Sequence, residues 1–215
     1  MVIEWLGHSC FLVTLKNGTR ILFDPYDDTV GYTRVEKEVD AVVVSHQHFD
    51  HNNLSRITGN YTVIDKPGLH TLGEATIECI STFHDHSGGA HRGENLVSVL
   101  SVRGIRLCHM GDIGCVPGED VVAKLKGVEV LLIPVGGHYT IDAQEALELC
   151  ERIEPNIIIP MHFKTPATDM DIAPLHEFLD AVSREYDVSH PGQCYLNIDL
   201  ATLKKRTRIV VMEYL

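Results

Sequence analysis

At 215 residues, with 44% hydrophobic and 22% charged residues, the chain has the composition of an ordinary globular protein and the length for one sizeable core. A formal charge of -12 disfavours a nucleic-acid phosphate backbone as a sequence-independent partner and favours a small-molecule substrate. The opening MVIEWLGHSCFLVTL carries Glu4 and no basic stretch, so it does not read as a secretory signal, and no apolar run reaches the length of a membrane span.

A cytoplasmic chain with no membrane partner, forming a single domain over residues 1–215, is therefore expected. Cys10, Cys79, Cys108, Cys115, Cys150 and Cys194 form no CxxC pair and read as reduced core fillers. Oligomeric state is left open.

In chain order, CFLVTLKNGTRILFDP places two apolar runs around Asn17-Gly18, the dipeptide of a two-residue hairpin turn. Further strands are expected at 39–44, 61–65, 76–81, 95–101, 104–109, 129–133 and 156–160, with a closing pair near 194–200 and 206–213. DAQEALELCERIEP predicts a helix: Asp142 and Glu145 have capping-box spacing, Ala146, Leu149 and Ile153 share a face, and Pro155 stops the run. Two more helices are expected at about 118–126 and 173–186, the second with Leu175, Phe178, Leu179 and Val182 at helical spacing.

Four apolar strands end in polar or glycine-rich residues: VVVSHQH, IRLCHMGD, LLIPVGG and IIIPMH. That pattern would deliver side chains from distant chain positions to one sheet edge, where ligands bind in open α/β sheets. GGAHRG and GDIGCVPG match neither nucleotide-binding glycine spacing.

HQHFDH at 46–51 follows the buried-type run AVVV. Residues two apart in extended chain point the same way, so His46 and His48 offer imidazoles to one ion, and Asp50 and His51 turn to a neighbouring position. Imidazole and carboxylate without thiolate suit zinc, manganese or iron(II) and leave coordination free for water and substrate. A histidine cluster can also be a solvated loop tip; the preceding strand favours the metal reading.

With its strand, the HxHxDH motif resembles the signature of the metallo-β-lactamase superfamily. WLGHSC, FDP at 23–25, FHDHSGGAHRGEN, HMGDIG and IIIPMHFKT follow in order. This extended pattern over residues 5–165 is similar to the branch that holds L-ascorbate-6-phosphate lactonase and N-acyl-phosphatidylethanolamine phospholipase D. The resemblance implies an α+β fold, a four-layer αββα sandwich, with two divalent ions at one sheet edge, zinc favoured and Mn²⁺ or Fe²⁺ as alternatives. It implies His46, His48 and His84 on the first ion, Asp50, His51 and His162 on the second, and Asp112 bridging them. His84 competes for its place with His86, His91 and His109; it is preferred because it directly follows the strand-like ECISTF.

Asp24 is expected to orient a ligand histidine from behind, although it could equally be a turn aspartate before Pro25. His8 matches a family position near the site or is a buried structural histidine. His138 would face the substrate or donate a proton, or be a solvated loop residue, and Arg92 would meet an anionic group or form a structural salt bridge. The implied activity is hydrolysis of a small ester, lactone or phosphoester by metal-activated hydroxide, with Asp50 and His138 in proton roles. Oxygen reductase relatives carry glutamate where this chain has His48, and lactamase relatives carry a TPGH-like phrase absent around His84. The rival readings are a phosphodiesterase or ribonuclease of the same superfamily and a metal-binding protein without catalysis.

Overall fold

The computed structural model describes residues 1–182, 186–203 and 206–215. The chain opens with Val2–Gly7 (β1), Cys10–Thr14 (β2), Arg20–Phe23 (β3), Lys37–Glu38 (β4), Ala41–Val43 (β5), Ile57–Thr58 (β6) and Thr62–Ile64 (β7). Gly68–Leu72 (β8), Ala75–Phe83 (β9), Glu94–Val102 (β10) and Ile105–His109 (β11) follow, then Glu119–Leu125 (α1), Val130–Pro134 (β12), Ala143–Ile153 (α2) and Ile157–Met161 (β13). Leu175–Ala181 (α3), Asp187–Ser189 (β14), Tyr195–Asn197 (β15) and Arg208–Val210 (β16) complete it.

One sheet runs β15-β1-β2-β3-β5-β7 and the other β14-β16-β13-β12-β11-β10-β9-β8, with β4-β6 as a small ribbon. Their facing sides share one core: Trp5, Phe11, Val13, Ile21, Phe23, Ala41 and Val43 from the first sheet join Ile77, Val97, Val99, Leu107 and Leu131 from the second. Strand periodicity sends Leu12, Leu22, Val42 and Val44 to the first sheet's other face, where Tyr26, Val30, Tyr32, Val35 and Ile57 close a second cluster. β5 reads as an unbroken apolar run because both its faces are covered. Val122, Leu125, Ala146, Leu149, Ile153 and Phe178 of the three helices join the larger core, giving the expected α+β sandwich. The layer over the first sheet's outer face is loop and ribbon, with no helix among the described residues.

Strand direction positions the site. β1 and β3 are both antiparallel to β2, and β5 and β7 run parallel to β3. In the other sheet β9 and β11 are both antiparallel to β10, and β12 and β13 run parallel to β11. Every strand that leads into a chemistry-bearing loop therefore runs toward the same end of its sheet.

Several sequence expectations change. Gly18 N–H donates to the Leu15 carbonyl at 3.0 Å and Leu15 N–H to the Thr19 carbonyl at 2.8 Å, so the hairpin loop is three residues with Gly18 at φ 91, not two. The helix expected over 173–186 spans only Leu175–Ala181. Only Phe178 is fully buried there, so a longer helix would gain little from packing, and Val182 is already extended; residues 183–185 lie outside the described chain. The two closing strands do not pair: β15 joins β1 in one sheet and β16 joins β13 in the other, because alternation marks a strand without marking its partner. The capping box at Asp142 and Glu145 forms as expected. No described helix is long and apolar enough to cross a membrane.

Candidate metal centre

His8 follows β1, Asp24 follows β3, and the 46–51 loop follows β5, all from the first sheet. His84 follows β9, Asp112 lies just beyond β11, and His162 follows β13, all from the second. Buried strands from both sheets thus release their polar successors at one place.

Three donor groups result, each with ligand atoms within 4.8 Å of one another: His46, His48 and His84; His46, His51 and Asp112; and His8, Asp50, His51 and His162. Asp112 Oδ2 lies 3.1 Å from His51 Nε2, 3.2 Å from His162 Nε2, 3.5 Å from His84 Nε2 and 4.0 Å from His46 Nε2. Yet His46 Nε2, His51 Nε2, His162 Nε2 and Asp112 Oδ1 are buried without a hydrogen-bond partner. Buried polar atoms are normally paired, so atoms this close that do not pair fit donors aimed at a shared cation. The residues present fit divalent ions.

Three non-glycine residues at this edge have left-handed backbone: φ is 52 at His8, 45 at Asp24 and 51 at His162. Such conformations persist where the surrounding structure over-determines them.

Asp24 accepts from Ser45 N–H (2.7 Å), Ser45 Oγ (2.6 Å) and His51 Nδ1 (2.8 Å). Burial alone would raise its pKa, but the neighbouring His51 charge and hydrogen bond hold it below the ordinary carboxylate value. Burial likewise opposes charge on His51, while Asp112, Asp24 and Asp50 raise its pKa well above the usual one. His8, fully buried, lies 3.3 Å from Asp50 Oδ2, and its ring centroid is 4.2 Å from that of His162 with the planes tilted by 43°. Burial, then the neighbouring His162, lowers His8 to about 4. It stands inside a donor group rather than behind one.

Sequence reasoning missed three supports. Asn95 in β10 accepts Asp112 N–H at 2.9 Å and donates to Thr82 Oγ1 and to the Met110 carbonyl, so it holds the Asp112 loop from beneath. Ser45 ties Asp24 to His46 through its hydroxyl, 2.9 Å from His46 Nδ1. Asp85 accepts four backbone N–H groups, from Ser87, Gly89, His91 and Arg92, and so shapes the loop after His84. Its only sequence signal is an aspartate opening a glycine-rich loop. The glycines around Asp112 do allow the close approach expected: a Cβ on Gly111 would strike Asn95 and Ser45, and one on Gly114 the backbone of His84 and Asp85.

Among the rivals of His84, His109 spends both nitrogens elsewhere, Nε2 on the Ser9 carbonyl at 2.8 Å and Nδ1 accepting Gly111 N–H at 3.1 Å. His86 and His91 are exposed. His138, expected to face substrate, does not line the cleft. It is exposed at φ 58, with Nδ1 3.9 Å from Asp171 Oδ2, and its neighbour Tyr139 takes the lining position.

The cleft over the centre has a volume of about 570 Å³ and is lined by His48, Asp50, His84 and Asp112 on the polar side and by Phe49, Tyr139 and Met170 on the apolar side. Arg92 also lines it, its guanidinium 5.4 Å from the Tyr139 ring centroid.

The beta-lactamase superfamily domain matches residues 2–162. The chain is 29% identical to a UPF0173 metal-dependent hydrolase of Carboxydothermus hydrogenoformans, covering 90% of this chain and 98% of that one. It is 32% identical to a UPF0173 protein of Pyrococcus abyssi, over 77% and 84% of the two chains. A solved structure from Thermotoga maritima, described as a candidate zinc-dependent hydrolase of the metallo-β-lactamase superfamily, superposes with a TM-score of 0.81 at 34% identity over 100% of this chain and 99% of that one. The buried histidine and aspartate cluster at the strand ends is thus that of a chain belonging to the metallo-β-lactamase superfamily, within its UPF0173 family of metal-dependent hydrolases.

Proposed function

We propose that this centre holds two divalent ions, zinc favoured, and hydrolyses a small ester, lactone or phosphoester. The observation that carries the reading is the set of buried, unpartnered nitrogens on His46, His51 and His162 gathered around Asp112. His46, His48 and His84 would hold one ion and Asp50, His51 and His162 the other, with Asp112 shared between the two sets. When bound, the ions would lower the pKa of water from about 15.7 toward neutrality and polarise the substrate oxygen.

The chain's own residues do the rest. Asp24 accepts the Nδ1 hydrogen of His51 and leaves Nε2 free to ligate. Asp50, in contact with His8 and open to the cleft, is placed to hold a proton during turnover. Phe49, Tyr139 and Met170 supply apolar walls, and the cleft volume suits a small molecule. The order of WLGHSC, FDP, FHDHSGG, HMGDIG and IIIPMHFKT supports a place near the lactonase and phospholipase D branch.

Element analysis of the purified protein, followed by a panel of lactones, esters and phosphodiesters with and without chelator, tests this. Two equivalents of metal and chelator-sensitive turnover are expected. Undiminished turnover in metal-stripped protein would exclude the mechanism.

A further inference from the structure

We propose that Arg92 determines specificity, selecting substrates that carry an anionic group, carboxylate or phosphate, away from the bond that is cut. The proposal rests on the hydrolase reading for what is cut, but the anion site stands on its own geometry.

Arg92 is the one lysine or arginine among the residues lining the cleft over the centre, and also the one lining the adjoining cleft formed by Ser45, His46, His48, Asp65, Pro67 and Glu94. Its guanidinium makes no ion pair with any carboxylate among the described residues, although the chain carries 30 acidic ones. Its contact is the face of Tyr139, 5.4 Å from guanidinium to ring centroid, which orients the planar head without using its hydrogens. A half-buried guanidinium with its donors free is matched by a bidentate oxyanion.

The position is also built. Arg92 N–H donates to Asp85 Oδ2 at 2.8 Å, and the same carboxylate accepts from Ser87, Gly89 and His91. Asp85 directly follows His84, so one side chain sets the path from that histidine to the arginine. The chain carries a net charge of -12, and Arg92 is the cation on the cleft wall that an anionic tail reaching past the metal centre would meet. A neutral substrate has no use for Arg92.

The test compares the metal-loaded native protein with Arg92→Gln and Arg92→Lys. Three esters share a 4-nitrophenyl leaving group: the neutral acetate, the carboxylate-tailed monoglutarate and the phosphonate-tailed phosphonoacetate. Arg92→Gln is expected to lower kcat/KM about 10- to 100-fold for the tailed esters, chiefly through KM, as for loss of a charge-assisted hydrogen bond. Acetate hydrolysis is unchanged, Arg92→Lys recovers part of the loss, and the tail that loses more identifies the natural anion. Equal loss on all three esters, or no loss, overturns the proposal.

Calorimetric binding of glutarate to the same metal-loaded proteins gives a readout independent of turnover. Glutarate is expected to weaken about tenfold in Arg92→Gln. Failure of glutarate to bind the native protein, or equal binding by both proteins, also overturns it. Arg92-dependent binding without hydrolysis of any ester would remove the hydrolase reading and leave the anion site standing.

Discussion

His51 Nδ1 sits 2.8 Å from Asp24 Oδ2, and through that contact a residue at the end of β3 dictates which nitrogen of a histidine beyond β5 faces Asp112. Asp24→Asn would place an amide N–H where a carboxylate oxygen accepts, so His51 Nδ1 must become the acceptor and Nε2 carries the hydrogen. Nε2 then has no lone pair to offer. Metal affinity is expected to fall about 10- to 100-fold, read by competition with a chromophoric chelator; affinity equal to native would show that Asp24 does not orient His51.

Gly114 N–H donates to the Phe83 carbonyl at 2.9 Å, and a Cβ at this position would meet the backbone of His84 and Asp85. Gly114→Ala should therefore separate the Asp112 loop from His84. The expected loss is about 1–3 kcal/mol of stability, as for other overpacked sites, together with reduced metal content. Denaturant unfolding with unchanged midpoint would show that the loop has slack.

The metal-free protein should lose stability on acidification from pH 6.5 toward 4. Burial lowers His46 to about 3 and His8 to about 4, and it lowers His84 and His109 as well. An unfolded histidine titrates near 6.5, so in this window the unfolded chain takes up protons that the folded one refuses, and the equilibrium shifts toward unfolding. His51 has the opposite sign: its contribution is complete below 6.5 and fades only as pH rises through its raised folded value, so it adds nothing to offset the acid loss. Thermal midpoints in chelator at pH 7 and pH 5 check this, and equal midpoints would contradict it.

His138→Ala should leave turnover intact. The side chain is exposed, faces Asp171 at 3.9 Å and lies outside the residues lining the cleft. A large fall in kcat would mean that the loop rearranges to bring His138 to the substrate.

The 46–51 cluster was legible because its spacing and its preceding strand are local features. Capping at Asp142 was legible for the same reason, since a capping box is complete within four residues. The choice among His84, His86, His91 and His109 was only half legible. All four flank strands or glycine-rich loops, and His109 is set apart by the Ser9 carbonyl, 100 residues away in the chain. Asn95 carried no signal, because an asparagine within a strand reads as an ordinary strand residue until its amide is seen holding Asp112 N–H.

By itself the sequence determined the donors and the strands that carry them: apolar runs ending in histidine or aspartate follow from residue order. Tertiary structure decided which of those ends meet, because a strand's pairing partner depends on burial against distant chain, and β15 and β16 accordingly went to different sheets. It also decided that Arg92 faces Tyr139 rather than a carboxylate, and that His138 turns outward. Side-chain direction in a loop is set by backbone dihedrals and by long-range hydrogen bonds such as those of Asp85, and neither is written in the local order of residues.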